Sequence, residues 1–164
     1  MEAVAEKKET SIHEGKYLTF VLGSEEYGIE IIKVSEIIGI MDITNVPQTP
    51  DYMKGVINLR GKVIPVIDLR LKFSMVEEKY TQETCVIVVD VNNTQIGIIV
   101  DSVSEVQDIN GSEIEETPDL GQGIDTNFIL GMGKVKEKII ILLDIEKVLS
   151  SGDLDMVKEI SESE

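Results

Sequence analysis

The residue types that build most small chemical sites are nearly missing from this chain. It has one cysteine, Cys85, and one histidine, His13. A lone cysteine cannot form an intrachain disulfide. Cys85 sits in the apolar run ThrCysValIleValVal and is expected as a small buried core residue. His13 lies in a polar N-terminal segment, so no zinc cage and no Ser-His or Cys-His pair can be assembled without leaning on that tail. Tryptophan is absent, and there are four tyrosines and three phenylalanines. The interior must therefore be mostly Ile, Val and Leu, and a stacking platform for single-stranded nucleic acid is lacking. Cations are also scarce: 15 Lys and Arg stand against 31 Asp and Glu, a net charge of −16. Such a surface repels phosphate backbones and excludes nucleic acid as an expected partner. No apolar run approaches the roughly 20 residues that cross a bilayer. The charged N-terminus, MEAVAEKKETSIHEGK, has no apolar export core. The expectation is a cytoplasmic protein without metal or cofactor.

What is abundant is short, β-branched strand. The stretch 52–73, YMKGVINLRGKVIPVIDLRLKF, organises the rest. Asn58-Leu59-Arg60-Gly61 reads as a charged turn between two apolar strands, with Gly61 free to take a positive φ. The strands at 55–59 and 62–67 suit a pleated, half-buried surface. Pro65 cannot donate to a ladder, which predicts an edge strand or a bulge there. Asp68 is an N-cap candidate for a short helix with Leu69 and Phe73 on one face. Arg60 is thus held out on a rigid hairpin, placed to meet a partner.

Around this centre, residues 1–15 read as a flexible lead-in. Residues 16–22 and 27–31 form a hairpin, and 84–91 pairs with 94–100 across Asn92-Asn93. A further hairpin joins 128–135 to 138–143, with a short helix at 144–149. Residues 32–37 and 102–106 show helix-like apolar spacing. Residues 111–122 read as an acidic loop, and 151–164 as an acidic tail with at most a turn or two of weak amphipathic helix. Two stretches also repeat. Residues 27–37 lie over 96–106 without a gap, and 52–73 lie over 128–149. Gly28 meets Gly97, Gly55 meets Gly131, and Asp68 meets Asp144. Each copy, about 16–76 and 84–150, is too small to bury a good core alone. The expectation is an all-β fold of short antiparallel strands, a barrel or sandwich made by packing the copies together.

The repeat separates scaffold from candidates. Shared positions read as scaffold, so Gly28 and Gly97 serve backbone fit, and Asp68 and Asp144 serve as caps rather than as a carboxylate pair. Ile29, Ile31, Val63, Val66, Ile67, Ile98 and Val100 read as core. Glu113, Glu115, Glu116 and Asp119 lack the alternating ligands and central glycine of a calcium loop. The Asn58-Leu59-Arg60-Gly61 turn differs from its counterpart, Lys134-Val135-Lys136-Glu137. Arg60 has two readings: a turn arginine in a local ion pair worth about 0–1 kcal/mol, or an interface anchor using its planar donors. A rival class, a small hydrolase using Asp68, Asp90 or Asp101, needs paired acids in a cleft. An OB-type ligand-binding module is a third class.

Tyr27-Gly28-Ile29-Glu30-Ile31, Val34-Ser35-Glu36-Ile37 and the run from Gly55 through Asn58-Leu59-Arg60-Gly61 to Val66-Ile67-Asp68-Leu69 resemble the CheW family of bacterial chemotaxis coupling proteins. The resemblance covers 16–150 in the right order. It implies two small five-stranded, OB-like barrels that exchange strands around a shared apolar core, with a few short helices. It implies a non-catalytic adaptor joining chemoreceptor tips to the regulatory domain of the histidine kinase CheA, and meeting the membrane only through those receptors. The same module occurs within CheA and CheV. A stand-alone coupling protein is the expectation here, because neither an ATP site nor a receiver domain fits outside 16–150. By resemblance, Arg60, Glu36, Val34, Gly55 and Asn58 belong to the receptor-facing side, with Glu36 near Arg60. For Val34 and Glu36 the scaffold reading stands equally, since Val103 and Glu105 occupy the same places in the second copy. The kinase-binding residues are not identified by this reading.

Overall fold

The computed structural model describes residues 13–118 and 126–162. The chain divides into two compact units, each drawn from both repeats. One unit takes the chain up to Ile31 and Ser104–Val148; the other takes Ile32–Val103 and the chain from Leu149 onward.

The first unit is built on a six-stranded sheet. In chain order its strands are β1 (Gly15–Leu22), β2 (Glu25–Glu30), β8 (Ser102–Ile109), β9 (Ile114–Glu115), β10 (Ile129–Val135) and β11 (Lys138–Leu143). Their spatial order is β8-β1-β2-β11-β10-β9. The second unit carries β3 (Val34–Gly39), β4 (Met53–Leu59), β5 (Lys62–Asp68), β6 (Cys85–Val91) and β7 (Thr94–Val100), in the order β3-β6-β7-β5-β4. Three short helices follow strands or end the chain: α1 (Leu69–Lys72), α2 (Ile145–Val148) and α3 (Ser151–Glu162).

The pairing makes the exchange between repeats explicit. Two ladders are parallel: β2 with β11 and β7 with β5. Gly28 of the first copy faces Leu142 of the second, and Gly97 of the second faces Val66 of the first. Leu142 and Val66 are themselves equivalent positions. A Cβ at Gly28 would meet Leu142 Cδ2 at 3.1 Å, and one at Gly97 would meet Val66 Cγ1 at 2.7 Å. So the shared glycines let one copy's hairpin lie against the other copy's strand. Each unit also has its own apolar cluster. Tyr17, Ile109, Ile140 and Leu142 anchor one, and Ile57, Ile64, Val66, Val86, Val88 and Ile99 the other. Burying one such side chain contributes about 1.5–3 kcal/mol.

Several local expectations change. Residues 34–39 and 102–109 are strands β3 and β8, not helical turns, and the first is preceded by a 3-10 turn at Ile31–Lys33. Apolar residues at 31, 34, 37 and 38 fit either period, and pairing of β3 with β6 decides for strand. The acidic stretch begins with a 3-10 turn at Gly111–Glu113 and the edge strand β9. There Asn110 N–H donates to Glu113 Oε1 at 2.9 Å. Asp119 and the lead-in before His13 lie outside the described residues. The weak tail is a 12-residue helix, α3. Cys85 is half-buried rather than buried, and its thiol donates to the Glu83 carbonyl at 3.3 Å. Ile31 and Val63 are likewise half-buried, while Ile29, Val66, Ile67, Ile98 and Val100 are core.

Pro65 is not on an edge strand, since β5 lies between β7 and β4. Its partner Val56 spends both backbone groups on Thr44, across the far side of β4 (N–H to O 2.9 Å; O from N–H 2.8 Å). Val56 and Pro65 are therefore a non-hydrogen-bonded pair, and the Pro65 nitrogen points toward β7. The ladder with β7 begins one residue later, at Val66. No donor is needed where proline lacks one.

Candidate functional site

The β4–β5 hairpin closes through a two-residue turn, Arg60-Gly61, with φ of 53° and 84°. Positive φ at both positions matches the right-handed twist of the strands. Asn58 supports it, its Oδ1 accepting from Gly61 N–H at 2.8 Å. The second copy makes the same turn with Lys136-Glu137, at 50° and 66°. The fold of the turn is therefore scaffold, and what it presents is particular to each copy.

Arg60 Nη2 donates to Oε1 of Glu36 on β3. Strand β3 lies at one end of the sheet order and the β4–β5 hairpin at the other. The sheet must curl for these residues to meet. The Arg60 side chain remains 70% exposed while Glu36 is 30% exposed. The pair thus leaves most of the guanidinium for another group. Asn58 is exposed and Val34 half-buried on β3. Gly55 is buried with φ of 140°, and a Cβ there would fall 2.0 Å from the Thr44 carbonyl oxygen. Its contribution is to let residue 44 bridge to β4. The structure thus joins Arg60, Glu36 and Asn58 at one end of this unit and leaves Gly55 inside it.

The base of the same hairpin carries a cluster that the sequence reading missed. Asp153, on the first turn of α3, is 2% exposed. Its carboxylate accepts from Ser150 N–H at 3.0 Å, from the Tyr52 hydroxyl and from Lys72 Nζ. Lys72 Nζ also sits 4.4 Å above the Tyr52 ring. Burial alone would raise the Asp153 pKa, but the bonds from Lys72, Tyr52 and Ser150 outweigh it and hold the carboxyl below its usual value. Burial, reinforced by Asp153, pushes Tyr52 up to about 12. The legible signal was Ser150-x-x-Asp153 ahead of Leu154, Val157 and Ile160, a capping box opening an amphipathic helix. Asp153 N–H returns a bond to Ser150 Oγ at 3.1 Å.

The acids weighed for hydrolysis have structural partners or stand apart. Asp68 caps α1 through Leu71 N–H at 3.3 Å and accepts from the Tyr80 hydroxyl at 2.8 Å. Asp101 takes the two-pronged fork of Arg70, at 2.7 and 2.6 Å. Asp90 is exposed on β6. An open groove of about 520 Å³ runs beside residues 45–51, and Asp51 is the single carboxylate among the described residues that line it. Among the described residues, no three His, Cys, Asp or Glu side chains are placed to hold a metal. No described helix is long and apolar enough to cross a membrane.

These features define a β scaffold that displays an ion-paired arginine turn. Residues 16–153 match the family model described as the CheW-like domain, and the chain belongs to that family. It is 42% identical over 148 residues to a chemotaxis protein CheW of Klebsiella aerogenes, covering 90% of this chain and 89% of that one. A chemotaxis protein CheW of Bacillus subtilis is 36% identical over 135 residues, with 82% and 86% covered. The crystal structure of the scaffolding protein TtCheW from Thermoanaerobacter tengcongensis superposes with a TM-score of 0.77 at 36% identity, over 85% of this chain and 95% of that chain. The protein is accordingly a coupling adaptor of chemotaxis.

Proposed function

We propose that this adaptor joins the cytoplasmic tips of methyl-accepting chemoreceptors to the regulatory CheW-like domain of the histidine kinase CheA, and that it does so in the cytoplasm without catalysing a reaction. The working module is residues 16–150, flanked by the lead-in 1–15 and the acidic tail. Arg60, Glu36, Val34 and Asn58 form the receptor-facing surface, and Gly55 supports it from within. The observation that carries this reading is the Arg60 guanidinium, gripped on one side by Glu36 and open to solvent on the other. Glu36 fixes the plane of the fork, so a receptor carboxylate or carbonyl can meet the remaining donors with little loss of side-chain freedom. The mechanism is geometric: an adaptor that holds receptor and kinase together transmits a receptor rearrangement as a change in kinase activity.

The test is calorimetric titration of the full chain with a purified receptor cytoplasmic fragment and, separately, with CheA. Arg60→Glu should lower receptor affinity by roughly tenfold or more, the size expected for an interface anchor, and leave CheA affinity unchanged. Lys136→Glu, at the equivalent place in the other hairpin, should alter neither. Unchanged receptor affinity in Arg60→Glu would remove the turn from the interface.

A further inference from the structure

Asp153 ties together the two ends of one hairpin. Tyr52 immediately precedes β4, and Lys72 ends α1, directly after β5. Both give their polar hydrogens to the same carboxylate. The side chains of Asp153 and Lys72 are 3% and 17% exposed, so the tie is shielded from water. The other hairpin supplies an internal control. Its equivalents of Tyr52 and Lys72 are Phe128 and Val148, which have no side-chain donor for a carboxylate. The backbone bond is common to both copies: Asp68 N–H donates to Tyr52 O, and Asp144 N–H donates to Phe128 O, each at 2.8 Å. Only the copy that displays Arg60 adds the side-chain tie.

The helix bearing Asp153 otherwise has a small footprint. Val157 is its one fully buried apolar side chain, with Leu154, Met156 and Ile160 half-buried. A 12-residue helix with so little apolar burial depends on its polar anchor to stay docked.

We propose that α3 is a clip on the base of the Arg60 hairpin, and that Asp153 is a positioning residue which holds Arg60 in register for the receptor. This rests on the receptor reading above. Tyr52 and Lys72 fix where β4 enters and where β5 leaves, and the turn lies at the far end of that lever. Freed of the tie, the hairpin frays from its base, and the Arg60–Glu36 pair is made for a smaller fraction of the time.

Hydrogen exchange on the full chain tests the clip without any partner. In Asp153→Asn, amides of α3 and of β4–β5 should exchange roughly tenfold faster while β10–β11 is unchanged, as for a local opening. Receptor affinity should fall roughly threefold to tenfold with CheA affinity intact, and Asp153→Asn should add nothing in an Arg60→Glu background, because both act through one group. Tyr52→Phe removes one hydroxyl and should show the same pattern more weakly, which covers the case in which Asp153→Asn does not fold. Faster exchange confined to α3, or full additivity with Arg60→Glu, would overturn the proposal. If Arg60→Glu itself keeps full receptor affinity, the receptor reading falls, and exchange in β4–β5 alone decides for or against the clip.

Discussion

The hairpins β4–β5 and β10–β11 are built to one plan. Each has the same two-residue turn of positive φ, and each has a register shift at the same place, Met53/Gly55 and Ile129/Gly131. Each is followed by an aspartate that caps a four-residue helix. Beside each bulge a segment pairs with the outer strand: residue 44 as an isolated bridge in one, β9 in the other. They differ in what is attached. The first has Arg60 on Glu36 at its tip and Asp153 at its base. The second has Lys134 paired with Glu115 at 2.8 Å, both more than half exposed. Backbone pattern is what duplication preserved, and a few side chains at the two ends of one copy are what made it different.

The largest expected effect is on the plan that the copies share. Ile67 and Leu143 are equivalent and fully buried, at 0% and 1% exposed. Ile67→Asp and Leu143→Asp should each unfold the protein, since an unpaired buried carboxylate costs several kcal/mol. Circular dichroism melts would check this. A variant that loses only half of its strand signal would show that the two units fold separately.

Next comes the glycine at the bulge. Gly55→Ala should cost about 2–4 kcal/mol, because the backbone conformation is close to glycine-only and the added carbon meets a carbonyl oxygen. Gly131→Ala should cost less, about 1–2 kcal/mol, because its φ is not positive and the added carbon meets Ile114 Cγ2 at 2.8 Å and the Glu115 carbonyl oxygen at 3.0 Å rather than an oxygen at 2.0 Å. Equal losses in urea titration would mean that the two bulges are equally strained.

A local effect of pH should separate the hairpins further. Asp153 is held below its unfolded value, so its contribution is full above about pH 4 and is lost as pH falls through the depressed folded value. Tyr52 runs the other way. Its contribution is full below the unfolded value of about 10 and is lost as pH rises through the folded value, about 12. The Ser150 amide, which donates to Asp153, should therefore shift in the acid range in the native chain and not in Asp153→Asn, and the Tyr52 ring should shift as pH passes about 12, a step of its own that Phe128, without a hydroxyl, lacks. An acid-range shift of the Ser150 amide that survives in Asp153→Asn would break the distinction.

The smallest effect is in the turns. Glu137 holds a left-handed conformation that Gly61 adopts freely. Glu137→Gly should stabilise by about 0.5–1 kcal/mol, the strain relieved being partly offset by the extra freedom of the unfolded chain. An unchanged melting temperature would mean that the strain is absent.

How far the sequence could be read depended on the range of the interactions involved. The hairpins, the caps at Asp68 and Asp144 and the turn glycine at Gly61 follow from residues within a few positions of one another. The strand at 34–39 did not, because its apolar spacing suits two periods and its partner β6 lies some fifty residues away in the chain. Pro65 misled for a related reason. A proline is excluded from an inner strand only where the neighbouring ladder asks for its donor, and that depends on the register with β7. At the candidate site Arg60 was legible because it departs from the repeat. Asp153 was legible only as a helix cap beside Ser150, since the partners that tie it to the hairpin, Lys72 and Tyr52, are 81 and 101 residues away.

By itself the sequence determined the all-β class, the duplication and the exposed arginine turn, since these depend on composition and on short-range pattern. Only the tertiary structure decided which copy's hairpin joins which sheet, where Glu36 meets Arg60, and that the tail closes the base of one hairpin. Those contacts link residues distant in the chain. Chain connectivity does not specify them, and burial and hydrogen-bond satisfaction in the folded state do.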